Sequence, residues 1–294
     1  MKQGNAPVVL IDSHVHIYDS YDLSTLFDRA QENFCPQANR LETTSFESVL
    51  LLTESAGHNF FSLIRDKSES TRDNGLGHWQ VFPTREPCSV VLKNSSGDRI
   101  FLIAGRQIET SERIEVSAIC TDHFFTEGRS LHETVSEVVE TGALAVLPWG
   151  IGKWLGRRGR ILANLIKSHP KDVLLGDNGS RPVFWPWPRA FKLAERLGIT
   201  ILAGSDPLPV PSDQKRIGSF GCVLLGVLDE KEPGADLRKK LIQLDSSPKR
   251  FGRLHSVSEF LKSRLELRRS VVSLPDKSPH SATLVESPDI ETSS

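Results

Sequence analysis

Short apolar runs alternate with amphipathic stretches over most of this chain. Residues 8–13 form the first apolar β-type run and 49–53 the second; 113–120, 143–147, 173–175 and 199–203 follow. Between them, 23–30, 60–66, 130–141, 153–168 and 188–197 read as helices. Ser130 and Glu133 have the spacing of a capping box, and Gly142 stops that helix. Pro188 opens a later helix and Gly198 closes it. The stretch 79–110 is β-rich on both sides of a turn sequence at 93–98, which predicts an antiparallel hairpin inserted into the pattern. Repeated strand-then-helix units predict a parallel sheet, and about seven such strands favour a distorted (β/α)7-type barrel over an open sheet. After Asp206 the pattern weakens, with closing helices expected at 235–244 and 256–267. Residues 1–268 are therefore expected to form a single barrel domain. The stretch 269–294, rich in Ser, Pro, Thr and acids, is expected to be a disordered tail.

Composition narrows the function classes. The chain has 294 residues and a formal net charge of −1, which argues against general electrostatic capture of nucleic acid or of an anionic membrane. No aromatic and basic stacking platform stands out in the sequence, so nucleic acid is weighed as the weaker partner class. No apolar run is long enough for a membrane span. Cys35, Cys88, Cys120 and Cys222 are far apart and form no C-x-x-C pair, as expected of reduced thiols in a cytoplasmic protein.

The first apolar run ends in Asp12-x-His14-x-His16. On a strand, alternate residues share a face, so two imidazoles at this spacing can grip one metal ion, with Asp12 near enough to orient a ring. Other apolar runs also end in acids: Leu52-Thr53-Glu54, Ile108-Glu109 and Ala203-Gly204-Ser205-Asp206. In a parallel barrel these ends converge, so Glu54, Glu109 and Asp206 are expected near His14 and His16.

The ordered set His14-x-His16, Leu51-Leu52-Thr53-Glu54-Ser55, Gly105-x-x-Ile108-Glu109, Gly142-x-x-Ala145-Val146-Leu147 and Ala203-Gly204-Ser205-Asp206 resembles the PHP (polymerase and histidinol phosphatase) family of metal-dependent phosphoesterases, over roughly residues 8–210. The amidohydrolase superfamily, which also opens with His-x-His and closes with a strand-end Asp, is the more remote resemblance. The PHP resemblance implies a distorted seven-stranded barrel with metal ions at the strand ends. The chain departs from the family at three ligand histidines, where it has Ser55, Trp149 and Leu208. His58 or His123 are the available substitutes. With these losses, a reduced centre of one or two ions is expected, held by His14, His16, Glu109 and Asp206, with zinc, manganese or iron as the metal.

The expected chemistry is hydrolysis by a metal-activated water, with Asp206 or Glu54 as general base. The segment 148–160 joins glycines and cations ahead of a helix, so Lys153 is a candidate contact for an anionic group of a small substrate. Asn178 and Arg181, after the 173–175 strand, are further substrate candidates. Two other readings stay open: a catalytically reduced barrel acting as a binding or scaffold protein, and an amidohydrolase-type enzyme cleaving C–N bonds or lactones. The cations near Lys153 favour a phosphoric ester.

Overall fold

The computed structural model describes residues 6–43, 45–69 and 75–272. The chain begins with β1 (Val8–Val15), α1 (Leu23–Arg40), β2 (Phe46–Leu52) and α2 (Phe60–Arg65). Three strands follow, β3 (Trp79–Pro83), β4 (Ser89–Asn94) and β5 (Arg99–Ile103), then β6 (Gly105–Glu109) and β7 (Glu115–Ile119). The helix–strand alternation resumes with α3 (Leu131–Glu140), β8 (Leu144–Pro148), α4 (Gly156–Ser168), β9 (Val173–Asn178), α5 (Arg189–Leu197) and β10 (Ile201–Gly204). The chain closes with β11 (Phe220–Leu225), α6 (Pro233–Ile242), β12 (Lys249–Gly252) and α7 (Val257–Val272).

These strands form two sheets, ordered β12-β11-β1-β2-β5-β4-β3 and β10-β9-β8-β7-β6, and neither closes into a barrel. The expected (β/α)7 barrel is corrected to a two-sheet α/β arrangement. The physical reason lies in the connections. β1, β2 and β5 pair in parallel, as do β8, β9 and β10. The short turns after β3, β4 and β6 instead fold the chain back into antiparallel pairs. β11, which the weakening pattern after Asp206 hid, also pairs antiparallel with β1.

The sheets meet along two seams. Between β5 and β6 only Ala104 intervenes, and Gly105 passes the chain from one sheet to the other. A Cβ there would lie 2.4 Å from the Leu52 carbonyl oxygen and 2.7 Å from that of Ala118. At this seam Glu54 donates its N–H to the Gly105 carbonyl and accepts from Gln107 N–H. At the other seam the Ser13 hydroxyl donates to the Ala203 carbonyl, and the Asp206 N–H donates to the His14 carbonyl. Val9, Ile11, Val49, Leu51 and Phe101 of the first sheet share a buried cluster with Ile119, Val146 and Leu202 of the second. The alternate residues Val8 and Leu10 face the opposite way, onto Leu26, Phe27 and Phe34 of α1. α3, α4 and α5 cover the outer face of the second sheet through Val135, Leu162, Ile166 and Phe191.

The predicted capping box forms at Ser130 and Glu133, and Gly198 caps α5 in the left-handed conformation. α1 runs ten residues beyond the predicted end at 30, because its apolar face continues through Phe34 and Ala38. The predicted tail starts inside α7, whose last turn includes 269–272; the rest of that tail, 273–294, lies outside the described residues. No described helix is long and apolar enough to cross a membrane. The four cysteines are unpaired.

Candidate metal centre

β1 brings both histidines inward. The pairing of β1 with β2 loses register between Asp12 and Val15, and this irregularity lets His14 and His16 converge. Both rings are buried, and their Nε2 atoms lie 3.0 Å apart. Asp206 follows the end of β10 in a left-handed conformation, φ +49°. Its Oδ1 lies 3.6 Å from His14 Nε2 and 3.8 Å from His16 Nε2. Among the described residues this trio is the group whose ligand atoms all fall within 4.8 Å of one another.

The side-chain hydrogen bonds of Asp206 turn Oδ1 to the rings. Its Oδ2 accepts from Asn178 Nδ2 at 3.0 Å and from the Ser180 hydroxyl at 2.7 Å. Asn178 is itself fixed, since Nδ2 also donates to the Trp149 carbonyl at 2.9 Å. That leaves Asn178 Oδ1 buried without a hydrogen-bond partner. Burial pushes Asp206 toward the acid form, but His14, His16, Ser180 and Asn178 outweigh it and hold the carboxyl below its usual range. Burial lowers the His14 imidazole, against the pull of Asp206 and with the push of Lys153. Burial, joined by His14, lowers His16 to about 4. The rings are therefore neutral, the form that ligates a metal.

The trio fits an ion. Metal–nitrogen bonds of about 2.0–2.1 Å in a tetrahedron place donors about 3.3 Å apart. The three observed separations, 3.0, 3.6 and 3.8 Å, straddle that value. The orphaned Asn178 Oδ1 supplies one more oxygen that lacks a partner beside the trio.

Asp12 does not orient a ring. Its carboxylate accepts from the backbone N–H of Ser205 at 2.7 Å, of Gly218 at 2.8 Å and of His14 at 3.3 Å. It ties β1 to the exit of β10 and to the approach of β11, and burial raises it to about 7 against these bonds.

The other predicted residues are placed differently. Glu109 is exposed at the end of β6, in register with Glu115, and lies outside the trio. Glu54 is buried, but it faces Arg106, with Oε2 3.0 Å from Nη1, and its Oε1 accepts from Phe61 N–H at the start of α2. Burial raises its carboxyl, yet the group is committed to the seam between the sheets and not to the histidines. Arg181 is buried and grips Asp177 with two bonds, Nε to Oδ1 at 2.7 Å and Nη2 to Oδ2 at 3.0 Å. Its charge is spent inside the fold, with Arg250 on the same carboxylate. Lys153 forms an ion pair with Glu115 and is close enough to act on His14. Of the two substitute histidines, His58 packs 6.0 Å from Tyr18 and His123 sits on the surface against Phe125.

Sequence reasoning missed Ser180, Glu115 and Tyr18. Ser180 follows Asn178 by two residues, the one available signal for it. Tyr18 extends the alternation of His14 and His16, and its ring lies 5.8 Å from that of His16. Glu115 starts a strand, and only the antiparallel β6–β7 turn brings it to this side of the sheet.

No protein-family model and no curated protein matches the sequence. Among solved structures, the fold is similar to that of PsfC from Pseudomonas syringae PB-5123, with a TM-score of 0.54 at 15% identity, over 90% of this chain and 99% of that one. It is also similar to a two-domain protein from Bacteroides vulgatus containing a predicted PHP-like metal-dependent phosphoesterase, with a TM-score of 0.42 at 14% identity, over 80% of this chain and 62% of that one. PHP-like proteins stand among its structural neighbours. The lesion-specific endonuclease PfuEndoQ from Pyrococcus furiosus is another, with a TM-score of 0.42 at 16% identity, over 83% of this chain and 57% of that one. A complex of Endonuclease Q with a duplex substrate is similar as well. The expectation that weighed against nucleic acid as a partner is corrected by these neighbours.

Proposed function

We propose that this chain is a metal-dependent hydrolase of phosphoric esters, built around one divalent ion held by His14 Nε2, His16 Nε2 and Asp206 Oδ1. The observation that carries the reading is the convergence of these three atoms, 3.0, 3.6 and 3.8 Å apart. Two imidazoles and a carboxylate suit zinc, manganese or ferrous iron. When bound, such an ion acidifies a water and polarises the scissile group.

The residues around it divide the remaining work. Asp206 serves as ligand and not as base, because both of its oxygens are engaged. Asn178 and Ser180 hold it in place. Lys153 sets a positive charge beside His14 and offsets the negative charge of a phosphoryl group, and Glu115 positions Lys153. The phosphoric ester is favoured over a neutral amide or lactone by that lysine.

Metal analysis of the purified protein, followed by a screen of phosphomonoesters and phosphodiesters with Mn²⁺, Zn²⁺ or Fe²⁺, tests the reading. Stoichiometric metal and turnover, both lost on replacing His14 and His16 with alanine, are expected. A protein that binds no metal, or one that cleaves lactones or amides while leaving every phosphoester intact, overturns it.

A further inference from the structure

A cavity of about 880 Å³ lies between α4, α5 and the loops that precede them. Its lining includes Trp149, Trp154, Trp185 and Trp187, four of the five tryptophans in the chain. It also contains Arg160, Lys167, Arg189 and Arg196, and no acidic side chain. The cations lie at the exposed surface and the aromatics are partly or fully buried beneath them. On a chain of net charge −1, this concentrates positive potential on one face.

The aromatic surface is shaped for a ligand. Trp149 is buried and meets the half-buried Trp185 edge to face at 5.6 Å, and the half-buried Trp154 meets Phe191 in the same way at 5.2 Å. Trp187 is committed to the fold: Arg250 and Arg181 lie over its ring at 4.6 and 5.3 Å from the centroid, Phe191 packs against it at 4.8 Å, and its indole N–H donates to Glu195. The Trp154 indole N–H is buried and has no acceptor. Unpaired buried donors are costly, so this one is a contact awaiting an oxygen or nitrogen.

The cavity adjoins the metal centre through one loop. The Trp149 carbonyl accepts from Asn178, which holds Asp206, and four residues on Lys153 acts on His14. A ligand seated on the indoles is therefore next to the residues that position the ion.

We infer that this cavity binds single-stranded nucleic acid, its bases stacked on the half-buried indoles of Trp154 and Trp185 and its phosphates met by Arg160, Lys167, Arg189 and Arg196. Indole stacking tolerates any base, and a cationic rim follows a phosphate backbone. The volume stands at the upper end of small-molecule pockets, which suits more than one nucleotide. An acidic peptide would satisfy the cations but offer nothing flat to stack on Trp154 and Trp185. The inference names the substrate class of the proposed hydrolase and rests on that reading for the reaction, though not for the binding.

The test is a titration of short fluorescein-labelled oligothymidylate into metal-stripped full-length protein, with thymidine monophosphate and polyglutamate as comparison probes. Oligothymidylate is expected to quench tryptophan fluorescence and to bind with a log–log salt slope of about −3, the value for four cations on a single strand. The double variant Arg160→Glu with Arg189→Glu should weaken binding about tenfold or more and halve that slope. Thymidine monophosphate should bind more weakly than the oligomer. Lys167→Glu with Arg196→Glu repeats the test on the helix surfaces if the first pair fails to fold. Equal binding of polyglutamate, binding indifferent to both charge reversals, or no binding at low salt overturns the inference. Because binding is read on the stripped protein and turnover on the metal-loaded protein, oligothymidylate binding by the first with no phosphoester hydrolysis by the second sinks only the hydrolase reading. Hydrolysis of phosphomonoesters without oligothymidylate binding sinks only the cavity inference.

Discussion

Asn178 donates its side-chain amide to Asp206 Oδ2 over 3.0 Å, and so turns Oδ1 toward His14 and His16. Asn178 ends β9 and Asp206 lies two residues beyond the end of β10, its parallel neighbour, and neither would hold the other without that register. Replacing Asn178 with Leu, or Ser180 with Ala, frees Asp206 to swing. Loss of such an outer partner should weaken metal binding about 10- to 100-fold. Chelator competition on the purified variants measures it. An unchanged affinity in both variants would show that Asp206 needs no support.

Metal should stabilise the fold, because the three donors are assembled only in the native state. At free metal one hundredfold above the dissociation constant, the expected gain is about 2.7 kcal/mol. Thermal melts of metal-stripped protein with and without added Zn²⁺ or Mn²⁺ read it as a rise in Tm. The same additions should leave the His14→Ala, His16→Ala protein unmoved. An equal rise in that variant places the ion elsewhere.

His255 predicts a loss of stability in acid. The ring is buried, neither nitrogen has a hydrogen-bond partner, and burial, aided by Arg216, lowers it to about 4 from the ordinary 6.5. Between those values the unfolded chain takes up a proton that the folded chain refuses. Stability therefore falls as pH drops from about 6.5 toward 4, by roughly 2–3 kcal/mol at one pKa unit per 1.36 kcal/mol. Urea unfolding of wild type and His255→Leu at pH 7 and pH 4.5 isolates this term. The variant should show the shallower pH dependence, and identical slopes would refute it.

Gly204 lies against the first histidine. A Cβ on it would sit 2.3 Å from the His14 backbone nitrogen and 2.5 Å from the His14 Cβ. Neither atom belongs to a flexible side-chain end, so β1 and β10 must part. Gly204→Ala should cost about 1–3 kcal/mol, the usual range for overpacking. It should also weaken metal binding, which a generic core defect far from the site would not do. Denaturant melts together with chelator competition separate the two effects.

Much of the architecture could be read from the chain because local chemistry acts over short distances. The apolar runs at 8–13, 143–147 and 199–203 became β1, β8 and β10 with small changes of boundary, and Ser130 capped α3 through its own neighbours. β11 and β12 escaped notice because Gly221 interrupts the apolar run of β11, which pairs with the distant β1, and because β12 is only the four residues Lys249-Arg250-Phe251-Gly252, held as a strand by β11. Glu109 and Glu54 illustrate the limit at the site. Both end apolar runs, as Asp206 does, but Glu109 faces solvent and Glu54 is held by Arg106. A strand-end acid is a local feature, whereas the direction in which it points depends on which strands lie beside it.

The sequence by itself determined the two histidines, the strand that carries them and the strand-end Asp206, because alternation along β1 and the apolar run of β10 are properties of contiguous residues. Only the tertiary structure decided which acid meets the rings, that Asp12 binds backbone instead of imidazole, and that Arg181 is spent on Asp177. It also gathered tryptophans spread over 149–187 into one basic cavity. Those outcomes depend on the register between strands far apart in the chain and on burial, which makes a charged group seek its partner wherever the fold places one.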